Sequence, residues 1–197
     1  MPPDTRSRLL CALDDDPTPY LTNRYPRFAE HAPKFDAIID IESATVPLSE
    51  LTASLTTLRS SLDGNIDPVT SAAIAGVEHT IVAGEAPLTL VYPIRRVSSL
   101  SAEAFRERWF RGHVEVASEA GNLGKFRYRQ FHASPDATAA AAGTAGVVLA
   151  DFDGAAIGFY DDRDQFVTVA VDPAMRIDDE LHFIDHSRSA MGIYELV

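Results

Sequence analysis

The plainest pattern in the chain is the alternation of Leu88, Leu90, Tyr92 and Ile94, which places four apolar side chains on one face of an extended segment. A strand is predicted over Leu88–Arg95, with Pro93 suggesting a sheet edge or a bulge. The period then lengthens. Phe105, Trp109, Gly112, His113 and Val116 fall within about 100° of arc at helical spacing, with Glu107, Arg108, Arg111, Glu115 and Glu119 opposite. This predicts an amphipathic helix over Ser101–Ala120, with Ser101 as N-cap and Glu103 favourably placed in its first turn. One member of the apolar stripe, His113, is polar.

Alternation returns after Gly124. Phe126, Tyr128, Gln130 and His132 share one face of a strand over Lys125–Ala133, while Lys125, Arg127, Arg129 and Phe131 share the other. The Ala-, Thr- and Gly-rich stretch Pro135–Gly146 carries no such pattern and reads as a loop. A strand follows within Val147–Tyr160, divided around Asp151 and Asp153, and a helix over Asp162–Ala170 that the Asp172-Pro173 pair ends. A short helix over Met175–Phe183 and a strand over Ser187–Leu196 close the chain. The order β-α-β-β-α-β is ferredoxin-like, with helices on one sheet face only. The other face needs a cover.

The first half is the candidate for that cover. Strands are predicted over Arg8–Leu13, Phe35–Ile41 and His79–Ala83, with a short helix over Tyr20–His31. Leu48, Leu51, Leu55, Leu58 and Leu62 mark a helix over Leu48–Leu62. The segment KFDAIIDIES echoes DFDGAAIGFYD in the second half, and the expected fourth strand, near Arg24–Phe28, is disguised. The expectation is an α+β protein of two ferredoxin-like halves, residues 1–86 and 87–197, forming a tandem repeat that pairs its sheets as an α/β barrel does.

Composition narrows the function. A formal charge of −12 argues against a nucleic-acid partner, since phosphate binding needs a basic surface, and the stripe Lys125, Arg127, Arg129 extends no further. No stretch has the length of apolar sequence a membrane span needs, and the N-terminus does not read as a secretory signal, so a cytoplasmic protein is expected. The single cysteine, Cys11, lies in an apolar run and reads as core. No phosphate loop, serine elbow or zinc-protease motif is present.

Among the candidate site residues, His113 stands one helical turn beyond Trp109 and beside Gly112, whose missing side chain leaves room for a ligand. A partly buried imidazole can act as acid or base near neutral pH. The alternative is a hydrogen-bonded histidine at the edge of the core. Tyr128 and His132, with Phe126, would give aromatic walls and polar tips to a cavity, or else pack as core; Tyr92 carries the same two readings. Asp185, between His182 and His186, matches no metal-ligand spacing and reads as a turn residue leading into the last strand.

Four features together resemble the EthD-domain family of the dimeric α/β-barrel superfamily: the strand leading through RRVSSLSAEAFRERWFRGH into a helix that bears Trp109 and His113; the strand FRYRQFH; the segment DFDGAAIGFYDDRDQF; and the ending DDELHFIDHSRSAMGIYELV, with Phe183, Ile184 and Asp185 before the last strand. The likeness covers about 110 residues of the second half; the first half lacks equivalents of Trp109, His113, Phe183 and Asp185. It implies a βαββαβ fold paired sheet to sheet, within one chain or in a homodimer. Relatives include fungal decarboxylases and dehydratases of aromatic polyketides, cofactor-independent monooxygenases and, more distantly, haem enzymes. The function implied is an enzyme of lyase or monooxygenase type, with no cofactor or metal, acting on a small hydrophobic or aromatic molecule by proton transfer or oxygenation. His113 is then the catalytic base, with Tyr92, Trp109, Tyr128 and His132 binding the substrate. A non-catalytic binding or accessory module is the alternative, since one fold hosts many functions.

Overall fold

The computed structural model describes residues 4–14, 35–170 and 177–197. Strands β1 (Arg6–Ala12) and β2 (Ala37–Glu42) precede helix α1 (Leu48–Leu62), the two-residue strand β3 (Ala72–Ala73) and strand β4 (Gly76–Val82). The second half runs β5 (Leu88–Ile94), the helix α2, β6 (Arg127–Ala133), α3 (Pro135–Ala145), β7 (Val148–Leu149), β8 (Gly154–Tyr160), α4 (Arg163–Ala170), α5 (Ile177–Glu180) and β9 (Gly192–Leu196). Helix α2 is composite: α-helical over Ala102–Glu107, widened to a π-helical segment over Arg108–His113, and α-helical again over Val114–Glu119. Ser101 caps it, its hydroxyl accepting from the Ala104 N–H at 3.1 Å. The helix expected over Tyr20–His31 and the strand near Arg24–Phe28 lie outside the described residues.

Seven strands form one antiparallel sheet in the order β2-β1-β9-β5-β8-β6-β4. Its central four, β9-β5-β8-β6, are the antiparallel arrangement that a βαββαβ chain makes. First-half strands extend this sheet at both edges, β1 and β2 beyond β9, and β4 beyond β6. The sheet curls strongly. β1 and β6 stand four positions apart, about 19 Å in a flat sheet. Yet the carboxylate of Glu85, just after β4, meets Arg6 (2.8 Å) and Arg8 (3.0 Å) of β1 and Arg129 (2.8 Å) of β6.

Pro93 lies in a central strand, not at an edge. Its carbonyl accepts from Ala190 on the β9 side, so its nitrogen faces that side too, and the β5–β9 ladder has already ended at Val91 and Gly192. The missing N–H therefore interrupts no rung. The stretch Pro135–Gly146, read as a loop, is helix α3 with proline in its first turn and Gly146 closing it at φ 71°. The predicted divided strand resolves into β7, which pairs with β3 in a small parallel sheet, and β8.

The face of the large sheet turned to α2, α4 and α5 holds two apolar clusters, Tyr92, Ile94, Phe105, Trp109, Phe183 and Ile184, and Leu88, Tyr160, Phe166, Val169 and Ile193. The concave face holds Leu10, Val91, Ala155 and Tyr194, packed by Ile38, Ile74, Phe131 and Ile157. Beside them the Arg8 and Arg129 guanidiniums lie over the Phe159 ring, at 5.9 and 4.8 Å from its centroid. Helix α1 packs on α3, and the Thr138 hydroxyl joins the halves through the backbone of Ala75 at 3.1 Å. No helix among the described residues is long and apolar enough to cross a membrane.

Candidate functional site

The alternation of β6 decides which of its side chains enter the helix–sheet interior. Tyr128, Gln130 and His132 are buried on the helical side, while Arg127 and Arg129 lie on the concave side. Trp109, at 1% exposure, sits over them from α2. Its indole N–H donates to the Tyr128 hydroxyl at 3.2 Å, and its ring stacks on His132 at 4.7 Å between centroids. Gln130 ties the group together. Its amide donates to the Trp109 carbonyl (3.2 Å) and the Tyr128 hydroxyl (3.3 Å), and its oxygen lies 3.1 Å from His132 Nε2. Burial pushes the Tyr128 phenol above its usual range. Burial, with His79 and Arg106 nearby, pulls His132 down to about 4, so that ring is neutral near pH 7.

His113 belongs to a second group. Its Nδ1 lies 2.9 Å from Asp179 Oδ2, its ring packs on Phe183 at 5.3 Å, and the Arg108 guanidinium takes the other Asp179 oxygen. The imidazole is largely covered, with 15% of its side chain exposed. Burial lowers its affinity for a proton, and Asp179 works against that. The Tyr92 hydroxyl, in a third group, lies 2.6 Å from His186 Nδ1, and His186 Nε2 lies 3.7 Å from the Glu180 carboxylate. Burial, reinforced by Asp179, pushes the Glu180 carboxyl up to about 8. Burial likewise pushes the Tyr92 phenol well up, so its hydroxyl keeps its proton.

Of the five residues singled out in the sequence, Trp109, Tyr128 and His132 thus form one connected cluster, while His113 and Tyr92 each join a different acidic partner from α5. Trp109, Tyr128 and Tyr92 are packed within the interior, and His132 lines an open cavity. That cavity, about 830 Å³, lies between α2 and the β4 edge, with Val77, His79, Arg106 and Phe110 among its walls. Asp179 and Glu180 escaped the sequence reading, and Gln130 and His79 were placed on strands without being singled out. The acidic run before Phe183 was visible, but nothing in its spacing marks which carboxylate turns inward. Asp185 is the turn residue expected: its side chain accepts from the Ser187 hydroxyl at 2.6 Å and its carbonyl from Ser189. Among the described residues no group of three or more His, Cys, Asp or Glu side chains is disposed to hold a metal.

Residues 98–187 match the EthD domain family model. The match begins at the turn before α2, ends just past Asp185, and contains Trp109, His113, Tyr128, His132, Asp179 and Glu180. Strands β5 and β9, which complete the four-stranded core of the second half, fall just outside it. No curated protein and no solved structure matches the chain.

Proposed function

We propose that the EthD half is an enzyme without an organic cofactor that acts on a small hydrophobic, aromatic molecule by proton transfer, as in decarboxylation, dehydration or cyclisation. The observation that carries this reading is the His113–Asp179 pair. A carboxylate on Nδ1 fixes the neutral tautomer with its proton on that nitrogen, leaves Nε2 as the basic atom, and stabilises the imidazolium formed when Nε2 takes a proton. Arg108 on the other oxygen orients the Asp179 carboxylate. Covering by Phe183 and α2 lowers the local dielectric, which strengthens the pair's electrostatics. In this reading Trp109, Tyr128 and Tyr92 shape the His113 site from behind. The first half, read as a diverged second copy, extends the sheet at both edges.

The test is a screen of aromatic β-keto acids and hydroxylated aromatic acids against the wild type and His113→Ala, with products followed by mass spectrometry. His113→Ala should keep its circular dichroism and lose about 100-fold or more in turnover. Turnover unchanged in that variant overturns the reading. The full burial of Trp109 and Tyr128 favours a second reading, a binding module, and this gains if the wild type converts nothing in the screen.

A further inference from the structure

The cavity between α2 and the β4 edge is a separate feature from the His113–Asp179 pair, and its chemistry can be read from its walls. Its floor is His132, one wall is Phe110 and another is His79. The three rings meet at angles. His79 is edge-on to His132 at 5.0 Å and tilted against Phe110 at 4.8 Å, and Phe110 is edge-on to His132 at 5.8 Å. They stand around an open volume of about 830 Å³, within the range of small-molecule sites. Phe110 is 37% exposed and Val77 56% exposed at one rim.

The polar end of the cavity is fixed by a chain of hydrogen bonds. The Trp109 carbonyl can only accept, so the Gln130 group facing it at 3.2 Å must be the amide NH2. Gln130 Oε1 therefore faces His132 Nε2 at 3.1 Å, and that nitrogen must carry the proton. The neutral His132 ring then has an acceptor lone pair on Nδ1. Among the described residues Gln130 is the only hydrogen-bond partner that His132 has, although the residue is only 8% exposed. An acceptor that no described residue donates to, on a mostly buried ring at the floor of an open cavity with aromatic walls, is placed to take a donor from a ligand. Carboxylates are poorly suited to that floor, because they bring acceptors to an acceptor.

We infer that this cavity binds a flat aromatic molecule bearing a hydroxyl group, with the hydroxyl donating to His132 Nδ1 and the ring lying among Phe110, His79 and Val77. Arg106 at the rim, 3.4 Å from the Ala133 carbonyl, leaves the mouth able to take polar substituents. The site does not depend on turnover at His113, and its occupancy can be measured without any reaction.

Trp109 is the chain's single tryptophan and stacks on His132, so its fluorescence reports on the cavity floor. Full-length protein is titrated with 2-naphthol and with 2-methoxynaphthalene, which has the same ring system and no donor, and binding is confirmed by calorimetry. Saturable binding of 2-naphthol, about tenfold tighter than the methyl ether, is expected, since only the naphthol can donate to His132 Nδ1. Replacing the acceptor in His132→Phe should bring the two affinities together. Phe110→Ala, which removes one wall and should keep the wild-type circular dichroism, should weaken both probes alike. His113→Ala should bind both as the wild type does, which separates failure of this site from failure of the proposed catalysis. Equal affinity of the wild type for the two probes, no saturable binding of 2-naphthol, or full binding by Phe110→Ala each overturns the inference.

Discussion

Asp179 reaches His113 Nδ1 at 2.9 Å from one carboxylate oxygen while the other takes the Arg108 guanidinium, so a residue of the short helix α5 orients one from the π-helical segment of α2. The π-helical widening changes the facing of residues beyond Trp109 and brings His113 to the Phe183 side, where Asp179 lies. Two opposing effects act on the imidazole: burial pulls its pKa down, and the Asp179 charge pushes it up.

Removing that charge in Asp179→Asn should therefore move the His113 pKa further down, and the asparagine can still meet Arg108. Titration of the His113 ring protons by nuclear magnetic resonance checks this. A midpoint that stays in place, or rises, would show that the carboxylate does not govern the ring.

Glu180, next in the chain, gives a prediction of stability against pH. Its carboxyl is pushed from about 4.5 to about 8, first by burial and then by Asp179. Folding thus favours the protonated form. The contribution is complete below about pH 4.5 and is lost as pH rises through about 8. Glu180→Gln keeps the neutral shape and removes the titration. Its melting temperature should match the wild type near pH 4 and exceed it by a margin that grows up to about pH 8. A constant margin across that range would place Glu180 in solvent.

Gly154 opens β8 where a side chain has no room. A Cβ there would lie 2.2 Å from the Phe131 carbonyl oxygen and 2.7 Å from the Trp109 ring. The first clash is with backbone, so relief requires β6 and β8 to part at the rung where His132 pairs with Gly154. Gly154→Ala should cost about 3 kcal/mol in denaturant unfolding, at the upper end of overpacking, and blue- or red-shift the Trp109 emission. A loss under about 0.5 kcal/mol would show that the strands yield freely.

The second-half core was legible because each of its elements carries a periodic signal: Leu88 to Ile94 for β5, Phe105 and Trp109 for α2, Tyr128 to His132 for β6. Helix α3 was missed for a physical reason. Its buried residues are Thr138, Ala141 and Ala142, too small to draw an apolar stripe, although alanine is the best helix former and both end signals, Pro135 and Gly146, are present. Local pattern found Trp109, His113 and His132, but not that His113 lies in a different group from the other two, because its partner Asp179 comes from a distant segment. The edge extension of the sheet by β1, β2 and β4 was equally out of reach. It depends on which edges the strands join, and alternation specifies only which face is apolar.

That extension is held on the concave side by Glu85, which meets Arg6, Arg8 and Arg129, while Glu42 of β2 approaches Arg129 at 3.7 Å and Arg8 at 3.8 Å. Hydrogen bonding from Arg6, with further help from Arg129 and Arg8, holds the Glu85 carboxyl at about 2. A depressed acid stabilises the fold above its unfolded value of about 4.5 and loses that contribution as pH falls towards 2. Glu85→Gln should thus be less stable than the wild type at pH 7, by about 1 kcal/mol, since the carboxylate is partly open to solvent and screened. The gap should narrow between about pH 4.5 and 2, and shrink at high salt at neutral pH. Amide hydrogen exchange should locate the loss at β1 and β4, the strands that the carboxylate ties across the curl, and not at β5 and β8, whose pairing does not involve it. Uniform loss of protection across all seven strands would mean that Glu85 contributes only to global stability and does not hold the edges together.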